Sequence, residues 1–598
     1  MHMQTKLNLA TGWWGRAMTL LLSLASPTIT ATEQPILDAN SRFHPVYSPS
    51  GMVVSQEIIA SRVGAEILSL GGNAIDAAVA TGFALAVTLP RAGNLAGGGF
   101  MLIHLAKEKK TIAIDYREMA PAAAHRDMFL DAAGDVDNQL ARHSLQSSGV
   151  PGTVAGLLHA HHSYGVLELK QVMAPAIALA RNGFAMSVDL ATSLDSRYDR
   201  LTRNAATQGY FYKPDGKRYK PGEQWVQADL AATLQRIVKA GRDGFYSGQT
   251  AALIVAEMQR TGGLITRADL DNYRVVERAP VCGEYHQHQV CAMPPPSSGG
   301  VHLVQMLNIL EDWDLPALGH NSAAYIHRLV EVMRRAYADR SAYLGDPDYY
   351  AVPVAEITDK KYAAVLRAGI ALDKAGASDK VQPGLEIDPD SLLRTQPTTN
   401  PESTETTHYS SWDRWGNVVS STTTLNFGYG NGISVTGGGF LMNNEMDDFS
   451  AKPNTPNVFN LLGGSANAIQ PGKRPLSSMT PTLVFDSSGV PLLATGSPGG
   501  STIITVVLQT ILNVLTFDMR IAEASSVPRI HHQWYPDKLY YESGISHDTL
   551  SALSAMGHTI NSKPSILGAT QSIQKGPNNS LLGASDPRRQ GAGAVAEP

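Results

Sequence analysis

The stretch PESTETTHYSSWDRWGN, Pro401 to Asn417, joins two kinds of chain. Upstream, from Lys380 to Glu405, Pro383, Pro389, Pro397 and Pro401 stand among Asp, Ser, Thr and Asn. That composition buries too little apolar surface to order itself. Downstream, HYSSW and NVVSSTTTLN flank Asp413 to Asn417 and read as a β-hairpin. With Trp415 at its centre, Thr406 lies nine residues before and Thr424 nine residues after. The two then face each other with Cβ atoms about 5 Å apart. Asn426 points from the same face. A slip of one residue would turn all three away.

An internal threonine hydroxyl holds its proton at neutral pH and is a poor nucleophile. Cutting the peptide bond before it frees an α-amine of pKa about 8, close enough to act as the hydroxyl's own base. The β-branched carbon restricts χ1 and keeps the oxygen aimed. A proline-broken segment ending at Glu405, followed at once by a strand that starts with Thr406, is what such a cut needs. The upstream tail must leave to open the site. Threonine also begins strands for reasons of propensity alone, and PEST reads equally as a polar loop. Spacing by itself leaves both readings open.

At 598 residues the chain exceeds the size at which one core keeps growing, so two or more packed layers or lobes are expected. Hydrophobic residues at 43% and charged residues at 17% fit an ordinary globular protein. A net charge of −5, with no long Lys/Arg cluster, excludes a nucleic-acid partner. Lys6 and Arg16 precede the apolar run AMTLLLSLA, and small residues follow to about Ala31, the pattern of an export signal over 1–31. That run is shorter than the roughly 20 residues of a membrane span, so a periplasmic or secreted protein without a membrane span is expected. A buried first helix is the plainer alternative.

Cys282 and Cys291, the only cysteines, lie in two short strands of PVCGEYHQHQVCAMPPP. They either bridge across that hairpin or sit unpaired in the core. With no further ligand near them, no metal site is indicated. The first half of the chain is rich in helix signals. Ser55 can cap a helix carrying Ile58, Ile59, Val63, Ile67 and Leu70, closed by Gly71 and Gly72. A second apolar helix runs from Asn73 to Leu89 and stops at Pro90, and another starts at Asp229 with Leu230, Leu234, Ile237 and Val238 inward and Gly241 at its end. FMLIHLA and TIAIDY read as strands between helices.

Thr406, Thr407, His408 and Tyr409 in TTHYS, with TLN at Thr424 to Asn426, resemble the start of the small subunit of the γ-glutamyltranspeptidases (glutathione hydrolases), which are N-terminal nucleophile hydrolases. Further matches follow in order: NLAGGGFM at Asn94, DYREMAP at Asp115, PGTVAG at Pro151, MPPPSSGG at Met293 and YADRSAYLGDPD at Tyr337. NNEMDDFS at Asn443, KRPLSSMTPT at Lys473, TGSPGGS at Thr495 and GASDPR at Gly583 continue the series. The resemblance extends from about His44 to Arg588. It implies an α/β protein, a four-layer αββα sandwich built from two subunits of one self-cleaved precursor. The large subunit would span 32–405 and the small, catalytic subunit 406–598, forming a heterodimer cut between Glu405 and Thr406.

Roles follow from the same resemblance. Thr406 would attack the γ-carbonyl of glutathione or another γ-glutamyl compound and pass the glutamyl group to water or to an amino-acid or peptide acceptor. Thr424 would bond to the nucleophile's end of the strand. Gly499 and Gly500 would offer backbone N–H groups to the oxyanion. Arg117, Ser477 and Ser478 would take the glutamyl carboxylate. Asn426, Glu445 and Asp448 would take its ammonium. No cofactor is implied.

Three departures stand out. Glu405 and Glu445 replace Gln found in some relatives, and Phe459, in the lid-like KPNTPNVFNLLGG, stands where several have a Tyr that hydrogen-bonds across the pocket. Glu405 therefore bears on the rate of maturation, and the missing Tyr hydroxyl leaves the balance between hydrolysis and transfer open. A β-lactam side-chain acylase and a poly-γ-glutamate hydrolase share the scaffold, but the lid and Asp448 count against both. Thr406, Thr424 and the GSPGGS glycines together count against an uncleaved glutamyl-binding protein. No G-x-S-x-G elbow, P-loop or H-E-x-x-H motif occurs.

Overall fold

The computed structural model describes residues 42–385, 405–452 and 461–597. The export signal, residues 386–404 of the proline-broken segment, and 453–460 of the lid with Phe459 lie outside the described residues. Among the described residues no helix is long and apolar enough to cross a membrane.

Two seven-stranded antiparallel sheets form the centre. One runs, in spatial order, Gly593–Ala596, Met52–Ser55, Thr406–Trp412, Val418–Thr424, Gly98–Leu105, Lys110–Asp115 and Val276–Arg278. The other runs Val46–Ser48, Leu581–Ser585, Gln571–Lys575, Pro491–Thr495, Thr482–Phe485, His288–Ala292 and Val281–Tyr285. Each mixes strands from before and after Glu405. Neither half of the chain could complete its sheets alone.

Period-2 alternation sorts the first sheet's side chains between two cores. Met101 and Ile103 join a cluster with Phe83 and Val154 from helices Ala74–Thr88 and Thr153–Tyr164. Phe100 and Leu102 join a cluster with Leu483 and Leu493 of the second sheet. That second cluster also holds residues of helices Gly299–Leu310, Ala323–Tyr343 and Ile503–Leu515 on the far side. The layers are therefore helix, sheet, sheet, helix, as expected.

The Thr406–Trp412 and Val418–Thr424 strands are buried along their whole length, so no polar face is left for water. Most of their hydroxyls instead bond to one another or to the neighbouring strands and sheet, whereas Thr407 Oγ1 is buried without a partner among the described residues. Ser410 Oγ donates to the Gln571 carbonyl at 2.9 Å and Ser420 Oγ to that of Thr495 at 3.0 Å. Thr422 Oγ1 lies 2.8 Å from His408 Nδ1, and Thr423 Oγ1 donates to the Gly98 carbonyl at 2.8 Å. Burial holds the His408 pKa down at about 3, so it stays neutral.

Cys282 and Cys291 face each other across their hairpin and form a disulfide. The helix expected after Ser55 runs Ile58–Ser69, but Glu57 is its cap: its Oε2 accepts from Ala60 N at 2.9 Å. Ser55 instead donates to the Glu57 carbonyl and meets Ser61 Oγ, at 2.7 Å each. Leu70 falls beyond the last turn and is exposed. The helices expected from Asn73 and Asp229 are Ala74–Thr88, with Asn73 as cap, and Ala228–Ala240, followed by Gly241.

The hairpin's turn is fixed by one side chain. Asp413 Oδ1 accepts from Trp415 N at 2.9 Å and Asn417 N at 3.0 Å. Its Oδ2 accepts from Asn417 Nδ2 at 2.8 Å and, across the layer, from Ala74 N at 2.9 Å at the start of a helix. Asp413→Ala strands a buried N–H and loosens the turn, and should cost about 2–3 kcal/mol. Urea unfolding checks this: a midpoint equal to wild type contradicts the assignment.

Candidate active site

The hairpin register pairs Thr406 with Thr424, as counted from Trp415. Their hydroxyl oxygens lie 3.4 Å apart. Thr424 Oγ1 also accepts from Asn426 N at 2.8 Å, and its own O–H is free to turn toward Thr406. Asn426 has a φ of 72°, so the chain turns in the left-handed region immediately after the strand. That turn holds its amide beside the two threonines.

These residues open onto a cavity lined by Thr406, Thr424, Asn426, Arg117, Glu445, Asp448, Ser477, Ser478 and Gly500. Gly499 stands one residue outside this lining. Gly499 and Gly500 have φ values of 137° and 56°, which favour glycine. A Cβ on Gly499 would also sit 2.4 Å from Thr502 Oγ1. Among the described residues neither N–H is given an acceptor. The turn leads straight into helix Ile503–Leu515, whose N-terminus favours negative charge.

Arg117 follows the Lys110–Asp115 strand and is fully buried. Its guanidinium bonds to the carboxylates of Glu445 and Asp448, and its Nε donates to the Pro475 carbonyl at 3.3 Å. The sequence reading left this fork open for a substrate carboxylate. In the structure the fork is engaged, because a buried cation must be neutralised by something close. Burial opposes its charge, but Glu445, Asp448 and Glu118 outweigh that and raise its pKa.

The acids respond in the opposite sense. Burial pushes Glu445 well above the usual carboxylate range, with Arg117 opposing and Glu118 adding to the rise. Burial likewise raises Asp448, and raises Glu118 to about 7. Three buried acceptor oxygens, Asn426 Oδ1, Glu445 Oε2 and Asp448 Oδ1, receive no hydrogen bond from the described residues. A primary ammonium carries three N–H donors, which suits such a set.

Sequence reasoning missed Arg340, although it lies inside the quoted YADRSAYLGDPD. It projects from helix Ala323–Tyr343 into the cavity, with Nε donating to Ser298 Oγ at 3.0 Å and Nη2 to Ser478 Oγ at 3.1 Å. Burial lowers its pKa to about 10, so it remains a cation at neutral pH. Arg340 thus lines the same cavity as Arg117, Ser477 and Ser478. Leu461, at the edge of the lid segment, also lines the cavity.

Elsewhere, His327, Glu331 and His558 could group around a metal. Their atoms are already engaged. His327 Nδ1 meets His558 Nε2 at 2.8 Å, and Glu331 bonds to Arg335 at 2.8 Å and Gly376 N at 2.9 Å.

Two antiparallel sheets packed between helical layers are the fold of the N-terminal nucleophile hydrolases. A family model described as gamma-glutamyltranspeptidase matches residues 60–596, and the chain belongs to that family. It is 49% identical over 546 residues to the glutathione hydrolase proenzyme of Escherichia coli (strain K12), covering 91% of this chain and 92% of that one. The cephalosporin acylase structure from Bacillus halodurans superposes with a TM-score of 0.81 at 26% identity, covering 95% of this chain and 99% of that one. The Helicobacter pylori gamma-glutamyltranspeptidase structure gives a TM-score of 0.55 at 43% identity, covering 58% of this chain and 98% of that one.

An arriving ammonium favours ionised acids, whereas protonation below their raised pKa values removes its partners. Affinity for L-glutamate, which carries the same α-amino-carboxylate head, should therefore weaken as pH falls from 8 through about 7, where Glu118 beside Arg117 takes up its proton and the cluster loses negative charge. Asp448→Asn should raise its Kd by about 30-fold or more at pH 8. Calorimetric titration reads both; an affinity that does not change over this pH range contradicts the charge assignment.

Proposed function

We propose that this chain is a γ-glutamyltransferase and glutathione hydrolase that works with the N-terminal threonine of its own cleaved product. The observation that carries the reading is the position of Thr406. It is the first residue of a buried strand, and its hydroxyl opens onto a cavity lined by two arginines, Arg117 and Arg340, and by residues that carry three unpartnered acceptor oxygens.

Maturation begins when Thr406 Oγ attacks the Glu405 carbonyl carbon. The hydroxyl proton passes to the departing nitrogen, leaving an ester and a free α-amine. Water then hydrolyses the ester, giving a Glu405 carboxylate and restoring the hydroxyl. The large and small subunits, 32–405 and 406–598, remain together because strands of both build each sheet.

In turnover, the amine of Thr406 accepts the proton of its own Oγ as that oxygen attacks the γ-carbonyl of glutathione or a related γ-glutamyl compound. The Gly499 and Gly500 N–H groups stabilise the oxyanion, and Thr424 donates to the attacking oxygen. The amine returns the proton to the leaving cysteinylglycine, and water or an amino-acid or peptide acceptor then takes the glutamyl group. Arg117, Arg340, Ser477 and Ser478 receive the substrate's carboxylate. Asn426, Glu445 and Asp448 receive its ammonium. The zwitterionic head thus splits the internal Arg117 ion pairs and gives each partner a new one.

The acylase likeness favours the same scaffold with a different acyl group. Acceptors clustered for an ammonium support the glutamyl reading over it. Export is supported by the N-terminal signal pattern and by the disulfide, which persists in oxidising compartments.

Purified protein should give two bands on a denaturing gel, the smaller beginning TTHYS. Thr406→Ala should give one band without activity. A fully active wild type that remains a single chain contradicts the mechanism.

A further inference from the structure

The side chain of Glu405, the residue before the proposed scissile bond, sits in a built slot outside the cavity described above. Its side chain is only 16% exposed. One wall is Arg91, 3% exposed, whose Nε lies 3.3 Å from Glu405 Oε2 and whose Nη1 lies 2.6 Å from Asp189 Oδ2. The other wall is Arg589, whose Nη1 lies 3.9 Å from Glu405 Oε1. The floor is Gly428, where a Cβ would come within 2.6 Å of Glu405 Cγ.

That floor is itself held in place. Arg200 donates to the carbonyls of Gly428 and Gly430, and Tyr429 N donates to the Arg91 carbonyl at 3.0 Å. Three arginines, Arg91, Arg589 and Arg200, therefore surround two carboxylates, Glu405 and Asp189, so the slot keeps a net positive charge that suits an acidic side chain. Burial opposes the charge of Arg91, and Glu405 and then Asp189 outweigh it. Glu405 precedes the strand and, among the described residues, has no ladder partner. Its side-chain contacts with Arg91 and the Gly428 floor help to hold the peptide that Thr406 would attack.

We propose that Arg91, aided by Arg589 over the Gly428 floor, is a positioning residue for self-cleavage that recognises the acidic side chain before the cut. The proposal rests on the self-cleavage reading given above. It explains how Glu is accommodated at this position: its charge is matched by Arg91 rather than buried alone.

The test follows conversion of freshly translated full-length precursor into two fragments, with time courses on denaturing gels. Wild type, Arg91→Gln, Glu405→Gln and the double variant are compared, each with its precursor's thermal midpoint. Arg91→Gln leaves the Glu405 carboxylate without its buried cation and should slow conversion about tenfold or more. The double variant pairs amide with amide and should recover to within about threefold of wild type.

A double variant as slow as Arg91→Gln would mean that Arg91 serves only the local fold, and overturns the proposal. Arg91→Gln converting at the wild-type rate overturns it too. A wild type that never converts overturns the self-cleavage reading, and this proposal with it, whereas normal wild-type conversion with an indifferent Arg91 sinks this proposal alone.

Discussion

The pairing of Thr406 with Thr424 at the open end of one buried hairpin is the constraint on which the rest depends. A strand has period 2, so this register sends Thr406, Thr424 and Asn426 to one face and Thr407 and Thr423 to the other. The turn that sets the register is locked by Asp413, which also caps helix Ala74–Thr88. Turn, helix and the Thr406–Thr424 pair are therefore one mechanical unit. The second sheet adds rigidity through Ser410 and Ser420, whose hydroxyls bond to its carbonyls. Small hydroxyl side chains such as these let the sheets meet closely while their own polar atoms stay paired.

Around that unit the cavity is organised by charge. Arg117 lies between Glu445, Asp448 and Glu118, all deep in protein. Such a cluster is costly unless its charges match, and the raised carboxyl pKa values are how the acids limit their repulsion. A ligand bearing both a carboxylate and an ammonium can exchange internal pairs for external ones at little net loss. That is a physical basis for selecting an α-amino acid head over an uncharged acyl group. Glu445 in place of an amide adds to the negative end and makes the selection depend on pH.

The sequence made the hairpin readable because its turn centre could be counted and its strands had no competing helical period. Helix Ala74–Thr88 was readable from Asn73 and Pro90, which mark its ends chemically. Ser55 misled because Ser, Thr and acidic residues all cap helices, and only the backbone shows that Glu57 holds the cap position. Arg340 was hidden by its helix: one arginine among several on Ala323–Tyr343 carries no local mark of facing a cavity built by distant strands. The Arg91 slot was invisible for the same reason, since Arg91, Gly428 and Arg589 meet only after folding. Whether the cysteines bridge was decided by cross-strand register, which spacing alone left open.

The central claim is that the oxygen of Thr406 carries the glutamyl group during turnover. Acid quenching of enzyme mixed with excess glutathione, followed by peptide mapping by mass spectrometry, tests it most directly. The account predicts a mass increase of one glutamyl group on the peptide that begins with Thr406, lost on mild base treatment as an ester should be. The same group found on Ser477, Ser478 or any other side chain, with the Thr406 peptide unmodified throughout turnover, would contradict it.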